Sequence, residues 1–252
     1  MHVQGQPAFI LHHRDYSETS LILDVLTPAH GRLGLLAKGA RRPSSPWRGI
    51  LKPFQPLLID WMGRGELPIL TGAETEGAGY PLSGAILYCG FYLNELLWRL
   101  LHKHDPHEQL FAAYRQALDG LRDRPATAET VLRLFEKTLL RETGYGLVLD
   151  HDVETHESVD PLALYLYRPD RGPTRLATAG RHRPGDGIRL HGSSLLALHR
   201  EVLNDPRSLR EAKALLRAML ARQLDGRPLH TRELFRQVVA PFVSSREPQV
   251  AP

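Results

Sequence analysis

The 252-residue chain contains a single cysteine, and this limits the chemistry open to it. Cys89 alone excludes an intrachain disulfide and any zinc site built from several cysteines. It also falls inside a predicted apolar helix, where a small core side chain is expected more often than a nucleophile. We therefore expect no cysteine chemistry in this protein.

Long hydrophobic runs are also missing. No stretch approaches the roughly 20 apolar residues that cross a membrane. The N-terminus, MHVQGQPAFILHHRD, lacks the charged start and long apolar core of a signal peptide. These absences predict a cytoplasmic protein with no membrane partner.

The common motifs of catalysis are absent as well. The chain has no GxxxxGK[ST] phosphate loop, no GxGxxG after a strand and no GxSxG nucleophile turn. With no obvious catalytic centre, a binding protein is the leading class, and we expect no enzyme activity and no cofactor.

Acidic residues are missing from one long segment, between Asp24 and Asp60. The same segment carries a group of cations, namely Arg32, Lys38, Arg41, Arg42, Arg48 and Lys52. Gly, Pro and Ser in its middle predict an irregular loop that presents an exposed Trp47 between two strands. Cations for phosphates and a ring for base stacking are typical of a nucleic-acid-binding surface. The alternative is a solvated loop that happens to be basic.

The charge distribution along the chain agrees with an anionic partner. The net charge is +4 and the pI is about 9.3. Residues 81–167 carry 8 basic and 13 acidic side chains, whereas residues 168–252 carry 16 and 8. An acidic middle thus separates the basic loop from a basic C-terminal third.

The first 80 residues predict a small all-β domain. Five short apolar runs with turn residues between them indicate strands, at 8–11, 21–26, 33–37, 54–61 and 67–70. A turn is predicted at 14–17. Five strands favour an OB-like barrel, although they do not distinguish it from an SH3-like barrel.

Residues 81–252 predict a helical domain. Apolar residues at helical spacing indicate a helix over 83–102, and further helices are expected at about 105–121, 127–143, 194–203, 208–224 and 231–239. Asp105 and Thr231 are predicted N-caps, and Gly144 a stop signal. Residues 145–192 interrupt this pattern as an insertion with one predicted strand, 162–167, and the tail 244–252 is expected to be disordered.

Two features of the helical domain are candidates for binding. Arg210, Lys213 and Arg217, spaced three and four apart, predict a basic ridge beside the apolar stripe of the 208–224 helix. DNA contact is one interpretation, and a solvated face is the other. Arg133 lies next to the buried stripe of its own helix, as an ordinary surface arginine would.

Two histidine-containing clusters are weak metal candidates. His102, His104 and His107 flank a predicted helix junction, so three ligands would have to reach across a bend. The other cluster contains Asp150, His151, Asp152, Glu154 and His156. Such groups can hold a divalent metal in a nuclease, but alternate residues of an extended segment point to opposite sides. We expect no metal at either cluster.

Several longer strings resemble one protein family. These strings are AFILHHRDYSETSLILDVLTPAHGRLGLLAKGARRPSS, LKPFQPLLIDWMGRGELPIL, PLSGAILYCGFYLNELLWRLL, LRLFEKTLLRETGYGLVLDHD and GRPLHTRELFRQ. In this order, from Gln6 to about Phe242, they resemble the RecO family of bacterial recombination-mediator proteins. The resemblance implies an α+β protein with an N-terminal OB-fold, a helical C-terminal domain and a zinc-ribbon-like insertion.

The resemblance also implies a function and its partners. It implies a non-catalytic DNA-repair protein that binds single- and double-stranded DNA and anneals complementary strands. The implied protein partners are RecR, the acidic C-terminal tail of single-stranded-DNA-binding protein and, indirectly, the recombinase RecA. Association with the nucleoid during repair follows from these partners.

Site residues follow from the resemblance by position. The family's basic loop falls on Lys38, Arg41 and Arg42, with Arg14, Arg48 and Lys52 as neighbours. The partner tail is expected to meet Arg133, with Leu132 and Phe135 lining an apolar pocket. Many family members carry four zinc-binding cysteines in the insertion, and this chain has none of them there. It therefore resembles a branch that has lost the metal.

Two other functions stay open on the residues alone. One is a metal-dependent nuclease that uses Asp150, Asp152 and His156. The other is an RNA-binding barrel with a helical partner domain, because nothing in the basic loop distinguishes DNA from RNA.

Overall fold

The structure is a computed structural model that describes residues 2–176, 187–235 and 237. The chain forms two compact units, Met1–Pro125 with Pro228–Pro252, and Ala126–Arg227. Compactness thus groups the first helices with the N-terminal strands. The predicted domain boundary after residue 80 stays a prediction.

Five strands of the first unit close into a barrel in the order β1-β2-β3-β5-β4. They are β1 His2–Tyr16, β2 Ser20–Thr27, β3 Gly31–Ala37, β4 Leu57–Met62 and β5 Ile69–Thr75. Neighbouring strands are antiparallel except β3 and β5, which pair in parallel at Leu36 and Ile69. The predicted five-stranded, OB-like barrel is confirmed.

Alternate side chains of each strand point into the barrel and fill its interior. In β3, for example, Leu33, Leu35 and Ala37 point into the core. β1 is much longer than the predicted strand at 8–11, because it pairs with two other strands. Its first half pairs with β4 and its second half with β2, and a register shift interrupts each ladder.

Two helices of the first unit, α1 Gly84–Leu100 and α2 Glu108–Asp123, pack on the barrel. The Phe9 ring of β1 lies 5.5 Å from that of Phe111 and 5.1 Å from that of Tyr114. Asn94 donates from Nδ2 to the Leu11 carbonyl at 3.0 Å and accepts from the Tyr114 hydroxyl at 2.6 Å. Burial raises the pKa of Tyr114, which stays a neutral donor. Ring packing at Phe9 and the hydrogen bonds of Asn94 thus hold both helices on β1.

The predicted N-cap at Asp105 is wrong. Helix α2 follows His107, whose side chain makes no capping hydrogen bond. The carboxylate of Asp105 lies instead 3.4 Å from Nε2 of His107. His104 takes a left-handed conformation with φ of 62°, so the chain is still turning where the helix was expected to begin.

The last described helix, α6 His230–Leu234, is capped by a side chain from helix α1. The Glu95 carboxylate on α1 accepts from the backbone N–H groups of His230 and Thr231 and from the Thr231 hydroxyl, at 2.9, 2.9 and 2.7 Å. The predicted Thr231 cap is therefore wrong, since its hydroxyl donates to Glu95. The predicted helix end near 239 and the tail 244–252 lie outside the described residues.

The described residues of the second unit form three helices, α3 Ala128–Glu142, α4 Gly192–His199 and α5 Pro206–Gln223, after a short 3₁₀ turn at Pro125–Thr127. Helix α5 packs on both α3 and α4. Asp205 caps α5 by accepting from the N–H groups of Arg207 and Ser208 at 3.0 and 2.9 Å. In the described parts of the chain, no helix is long and apolar enough to cross a membrane.

The predicted insertion contains a small antiparallel sheet, β7-β6-β8. Its strands are β6 Leu164–Arg168, β7 Gly172–Arg175 and β8 Ile188–His191, so the strand predicted at 162–167 is confirmed. Glu211 on α5 accepts from the backbone N–H and Nδ1 of His191 at 2.8 and 2.7 Å. Burial opposes ionisation of Glu211, but these hydrogen bonds prevail and its pKa is lowered. The carboxylate thus ties the sheet to α5.

Candidate nucleic-acid interface

Residues 38–56, here called the barrel-end loop, join β3 to β4. Ala40 and Leu51 are buried in the barrel core, and Trp47 and Ile50 pack against that core. The prediction of an exposed Trp47 is wrong, because its ring is half-buried there. The loop closes one end of the barrel and does not project from it.

Consecutive tight turns give the loop its shape. Backbone N–H groups of Ser45, Arg48 and Ile50 each donate to the carbonyl three residues earlier, at 3.0, 3.3 and 3.2 Å. The N–H of Arg41 donates to the carbonyl of Thr19 at 2.8 Å, which joins the loop to the turn between β1 and β2. The apolar side chains can therefore enter the barrel while the cations remain outside.

The cations predicted to bind DNA in this region are all exposed, namely Arg14, Lys38, Arg41, Arg42, Arg48 and Lys52. Arg41 pairs with Asp15 at 3.1 Å and also donates to the Ser17 carbonyl at 3.3 Å. None of the other five forms an ion pair with any described residue. Exposed cations without a carboxylate partner attract the phosphates of a nucleic acid, and these contacts do not depend on its base sequence.

The end of β1 lies beside this loop and carries a residue that the sequence interpretation missed. Arg14 and Tyr16 belong to β1, paired with Ile22 and Ser20 of β2, so the turn predicted at 14–17 begins only at Ser17. Tyr16 is 48% exposed. An aromatic residue within the polar run from Arg14 to Glu18 was the available signal, and it was attributed to a turn. Tyr16, and not Trp47, is the freely accessible ring at the loop.

The predicted basic ridge lies on the exposed side of α5. Arg210, Lys213 and Arg217 are all exposed, beside the buried residues Ala212 and Leu216. Nζ of Lys213 lies 2.6 Å from Glu129 of α3. One of the three ridge cations is thus already paired within its own unit. DNA contact by the ridge stays a prediction.

Arg133, the residue predicted to bind the partner tail, is not a surface arginine. Its side chain is 5% exposed, and its guanidinium donates to Glu136 at 2.7 Å, whose side chain is 0% exposed. The expectation of an accessible cation is wrong, because tertiary packing buries this face of α3. A tail carboxylate would have to replace Glu136 at that guanidinium.

The apolar residues expected beside Arg133 are also packed. Phe135 is buried and Leu132 is half-buried. Whether they contribute to partner binding stays a prediction, and the structure gives them a core function in the second unit.

Asp152, proposed from sequence as a candidate metal ligand, holds the backbone of the insertion. Oδ1 accepts from the N–H groups of Glu154 and Thr155 at 2.8 and 3.1 Å, and Oδ2 accepts from that of Arg175. Burial alone would raise the pKa of Asp152, but the three donors outweigh it and lower the pKa. With both oxygens engaged, Asp152 is suited to a structural function.

The remaining chemistry candidates are not brought together. In the ranges that the structure describes, no three His, Cys, Asp or Glu side chains form a group that could hold a metal ion. His151 pairs with its neighbour Asp150 at 2.8 Å, and Cys89 is half-buried in α1.

Fold and surface together define a class of protein. It is an OB-like barrel with helices packed on it and a patch of exposed cations at one barrel end.

Comparison with known proteins identifies the family. The family model Recombination protein O N terminal matches residues 1–78, and Recombination protein O C terminal matches residues 82–233. The DNA repair protein RecO of Nitrosospira multiformis is 46% identical over 237 residues, which are 93% of this chain and 95% of that protein. The RecO proteins of Methylococcus capsulatus and Coxiella burnetii are 47% and 49% identical over 229 residues, 91% of this chain and 91% and 96% of theirs. The chain belongs to the RecO family of DNA repair proteins.

Proposed function

We propose that this protein is a non-catalytic mediator of recombinational DNA repair. It binds single- and double-stranded DNA, anneals complementary strands and, with RecR, promotes loading of RecA at gaps coated by single-stranded-DNA-binding protein. One observation carries the DNA-binding step: the barrel end presents five exposed cations without an ion pair among the described residues, in a RecO-family chain.

The surroundings of these cations favour phosphate binding. An exposed cation without a carboxylate partner keeps its charge available, and its contact with a phosphate releases condensed counterions from the DNA. The loop backbone is held by its own turns and by Trp47 and Ile50 in the barrel. Its cations therefore start from an ordered scaffold, which lowers the entropic cost of binding.

The same contacts explain why the proposed activity is independent of sequence. Lysine and arginine contacts to phosphates set affinity and carry no base information. A mediator that anneals any complementary pair needs this property, since the strands themselves supply the specificity. This activity would place the protein on cytoplasmic DNA, at the nucleoid, during repair.

Capture of the acidic tail of single-stranded-DNA-binding protein is the second part of the proposal. Arg133, with Leu132 and Phe135, remains the candidate site, on condition that a tail carboxylate replaces Glu136. The exchange would take the Arg133 cation away from Glu136, whose side chain is 0% exposed, so the contacts of the tail would have to offset that free-energy cost.

The rival nuclease function is weakened by the hydrogen bonds of Asp152. Both its oxygens accept backbone N–H groups, so metal binding would cost the insertion these contacts. Incubation of labelled DNA with Mg²⁺ or Mn²⁺ separates the two functions, and we expect no cleavage. Annealing measured in parallel with DNA and RNA strands tests the RNA-binding alternative, which predicts faster annealing of RNA.

The experiment that tests the proposal is annealing of complementary DNA strands coated beforehand with single-stranded-DNA-binding protein. We expect the protein to accelerate annealing well above the spontaneous rate, and the acceleration to decrease with salt. Annealing at the spontaneous rate on both naked and coated strands would contradict the proposal.

A further inference from the structure

One face of β1 carries a row of three exposed side chains beyond the loop, those of His12, Arg14 and Tyr16. They pair with Asp24, Ile22 and Ser20 of β2, so the row follows the strand at every second residue. Alternate residues of a strand share a face. The neighbouring β2 residues Leu23 and Val25 point into the barrel, and the row therefore lies on its outer surface.

An aromatic side chain stands at each end of this row. Tyr16 is 48% exposed beside the β1–β2 turn. At the other end, the ring of Trp98 on α1 lies 5.5 Å from that of His12 and is 38% exposed. Large aromatic side chains of a soluble protein are usually more buried than this. The row thus offers two accessible rings with a cation between them.

The charges along the row are compatible with an anionic ligand. Of the carboxylates that border it, Asp24 pairs with Arg32 at 3.2 Å and Asp15 pairs with Arg41 at 3.1 Å. Arg14 forms no ion pair with any residue that the structure describes. Glu18, exposed in the turn, opposes it in part. Arg41 links the row to the barrel-end loop through Asp15.

Other parts of the outer barrel surface are covered. A Cβ added at Gly31 would overlap the backbone of Asp105, and one added at Gly34 would contact Glu66 and Leu67 at 3.5 and 3.6 Å. The start and middle of β3 are thus packed against other segments of the first unit. The end of β1, by contrast, is exposed at Tyr16 and Arg14.

We infer that Tyr16 and Trp98 form a stacking track for the unpaired bases of single-stranded DNA, which runs from the barrel-end loop along β1. Aromatic rings stack on any base and therefore suit a ligand of arbitrary sequence. Bases within a duplex are already stacked and paired, so they do not offer their faces. The track makes the barrel prefer single strands, whereas the cations alone would bind both forms. The inference rests on the proposed DNA binding.

Substitution of Tyr16 tests the track. Fluorescence anisotropy would compare oligo-dT with a duplex of equal length, for the unaltered protein, Tyr16→Ala and Tyr16→Phe. We expect Tyr16→Ala to weaken oligo-dT binding about tenfold and duplex binding less than about twofold. Tyr16→Phe keeps the ring and should bind like the unaltered protein. Tyr145→Ala is the matched control, because Tyr145 is a 47% exposed tyrosine of the other unit.

The outcomes separate the track from the proposed function. Absence of DNA binding by the unaltered protein would contradict both. Normal binding with no effect of Tyr16→Ala, equal loss for the two DNA forms, or equal loss in Tyr16→Phe would contradict the track alone.

Trp98 provides an independent spectroscopic test. Trp61 is 3% exposed and Trp47 is half-buried, so a ligand on the track should quench mainly Trp98. We expect oligo-dT to quench the tryptophan emission of the unaltered protein, and Trp98→Phe to remove most of this quenching with little loss of affinity. Unchanged quenching in Trp98→Phe would contradict contact between the bases and Trp98.

Discussion

The barrel-end loop and helix α3 both carry arginines that the sequence marks as binding residues, and the structure surrounds them differently. Arg42 and Arg48 of the loop are exposed and form no ion pair with the described residues. Arg133 of α3 is buried and donates to Glu136 at 2.7 Å. The loop cations are accessible to a ligand, whereas the side chain of Arg133 is buried within the second unit.

The difference shows why burial has to accompany charge when a binding site is assigned. A buried charge has lost its water, and its partner is what makes burial tolerable. Removing an exposed cation therefore affects ligands more than folding. Removing a buried, paired cation affects folding first.

The largest effect is expected from Arg133→Ala. This substitution leaves a buried carboxylate without its cation and should lower the free energy of unfolding by about 3–5 kcal/mol. Urea denaturation followed by circular dichroism measures it. An effect below about 1 kcal/mol would mean that Arg133 is exposed in solution.

The double variant Arg133→Met with Glu136→Leu separates stability from partner binding. Replacing both members of a buried pair by apolar residues is often neutral or stabilising, so its stability should be close to that of the unaltered protein. If this folded variant fails to bind the tail peptide of single-stranded-DNA-binding protein, Arg133 belongs to the partner site. Undiminished binding would exclude it.

The second effect concerns the loop. Replacing Lys38, Arg41 and Arg42 together with Ala should weaken DNA binding on the order of tenfold to a hundredfold at physiological salt, equally across sequences. Stability should change little, because these side chains are exposed. Filter binding on unrelated oligonucleotides, with thermal denaturation as the folding control, checks both statements. Normal affinity would remove the loop from the interface.

The third effect concerns Asp152, a candidate ligand from sequence and a backbone acceptor in the structure. Asp152→Asn places an amide donor against a backbone N–H and should destabilise the protein by about 1–3 kcal/mol, with DNA affinity unchanged. The folded-state pKa of Asp152 is lowered, so its contribution is complete above the ordinary value of about 3.9 and is lost as pH falls through the folded pKa. Thermal denaturation from pH 7 to pH 3 should show the difference from the unaltered protein narrowing at the acid end. A constant difference would contradict this function.

The smallest effect is expected from the ridge on α5. Replacing Arg210, Lys213 and Arg217 with Ala removes as much charge as the loop variant, and each variant includes one paired cation, Lys213 or Arg41, so the two differ in their distance from the proposed interface at the barrel end. We expect affinity for DNA to fall only about twofold to fivefold. A loss as large as that of the loop variant would make net charge, and not the barrel end, the determinant.

The sequence predicted the elements better than it predicted which side chains are accessible. Alternation and turn residues predict that five strands exist, but not the full lengths of β1 and β5, and apolar spacing predicts the main helices. Trp47 lies in an irregular loop without periodicity, so no local pattern shows that its ring packs on the barrel. The loop is nevertheless correctly placed, since glycine and proline exclude a regular element there.

Arg133 shows that a local sequence pattern can predict an ion pair but not the burial of that pair. Glu136 follows it by three residues, a spacing that places both on one helix face, so an ion pair was predictable. Its burial was not, because that depends on elements distant in sequence. The Glu95 cap of α6 was not predictable for the same reason. The backbone N–H of His230 donates to a carboxylate that lies 135 residues earlier in the chain.

The salt dependence of DNA affinity tests the central claim most directly, measured on one oligonucleotide for the unaltered protein, the loop triple variant and the ridge triple variant. The slope of log K against log salt should fall by about two to three units for the loop variant, with Arg41 partly committed to Asp15. For the ridge variant it should fall by less than about one unit. A loop variant with the slope of the unaltered protein, or equal losses in both variants, would contradict the assignment of the barrel end as the DNA interface.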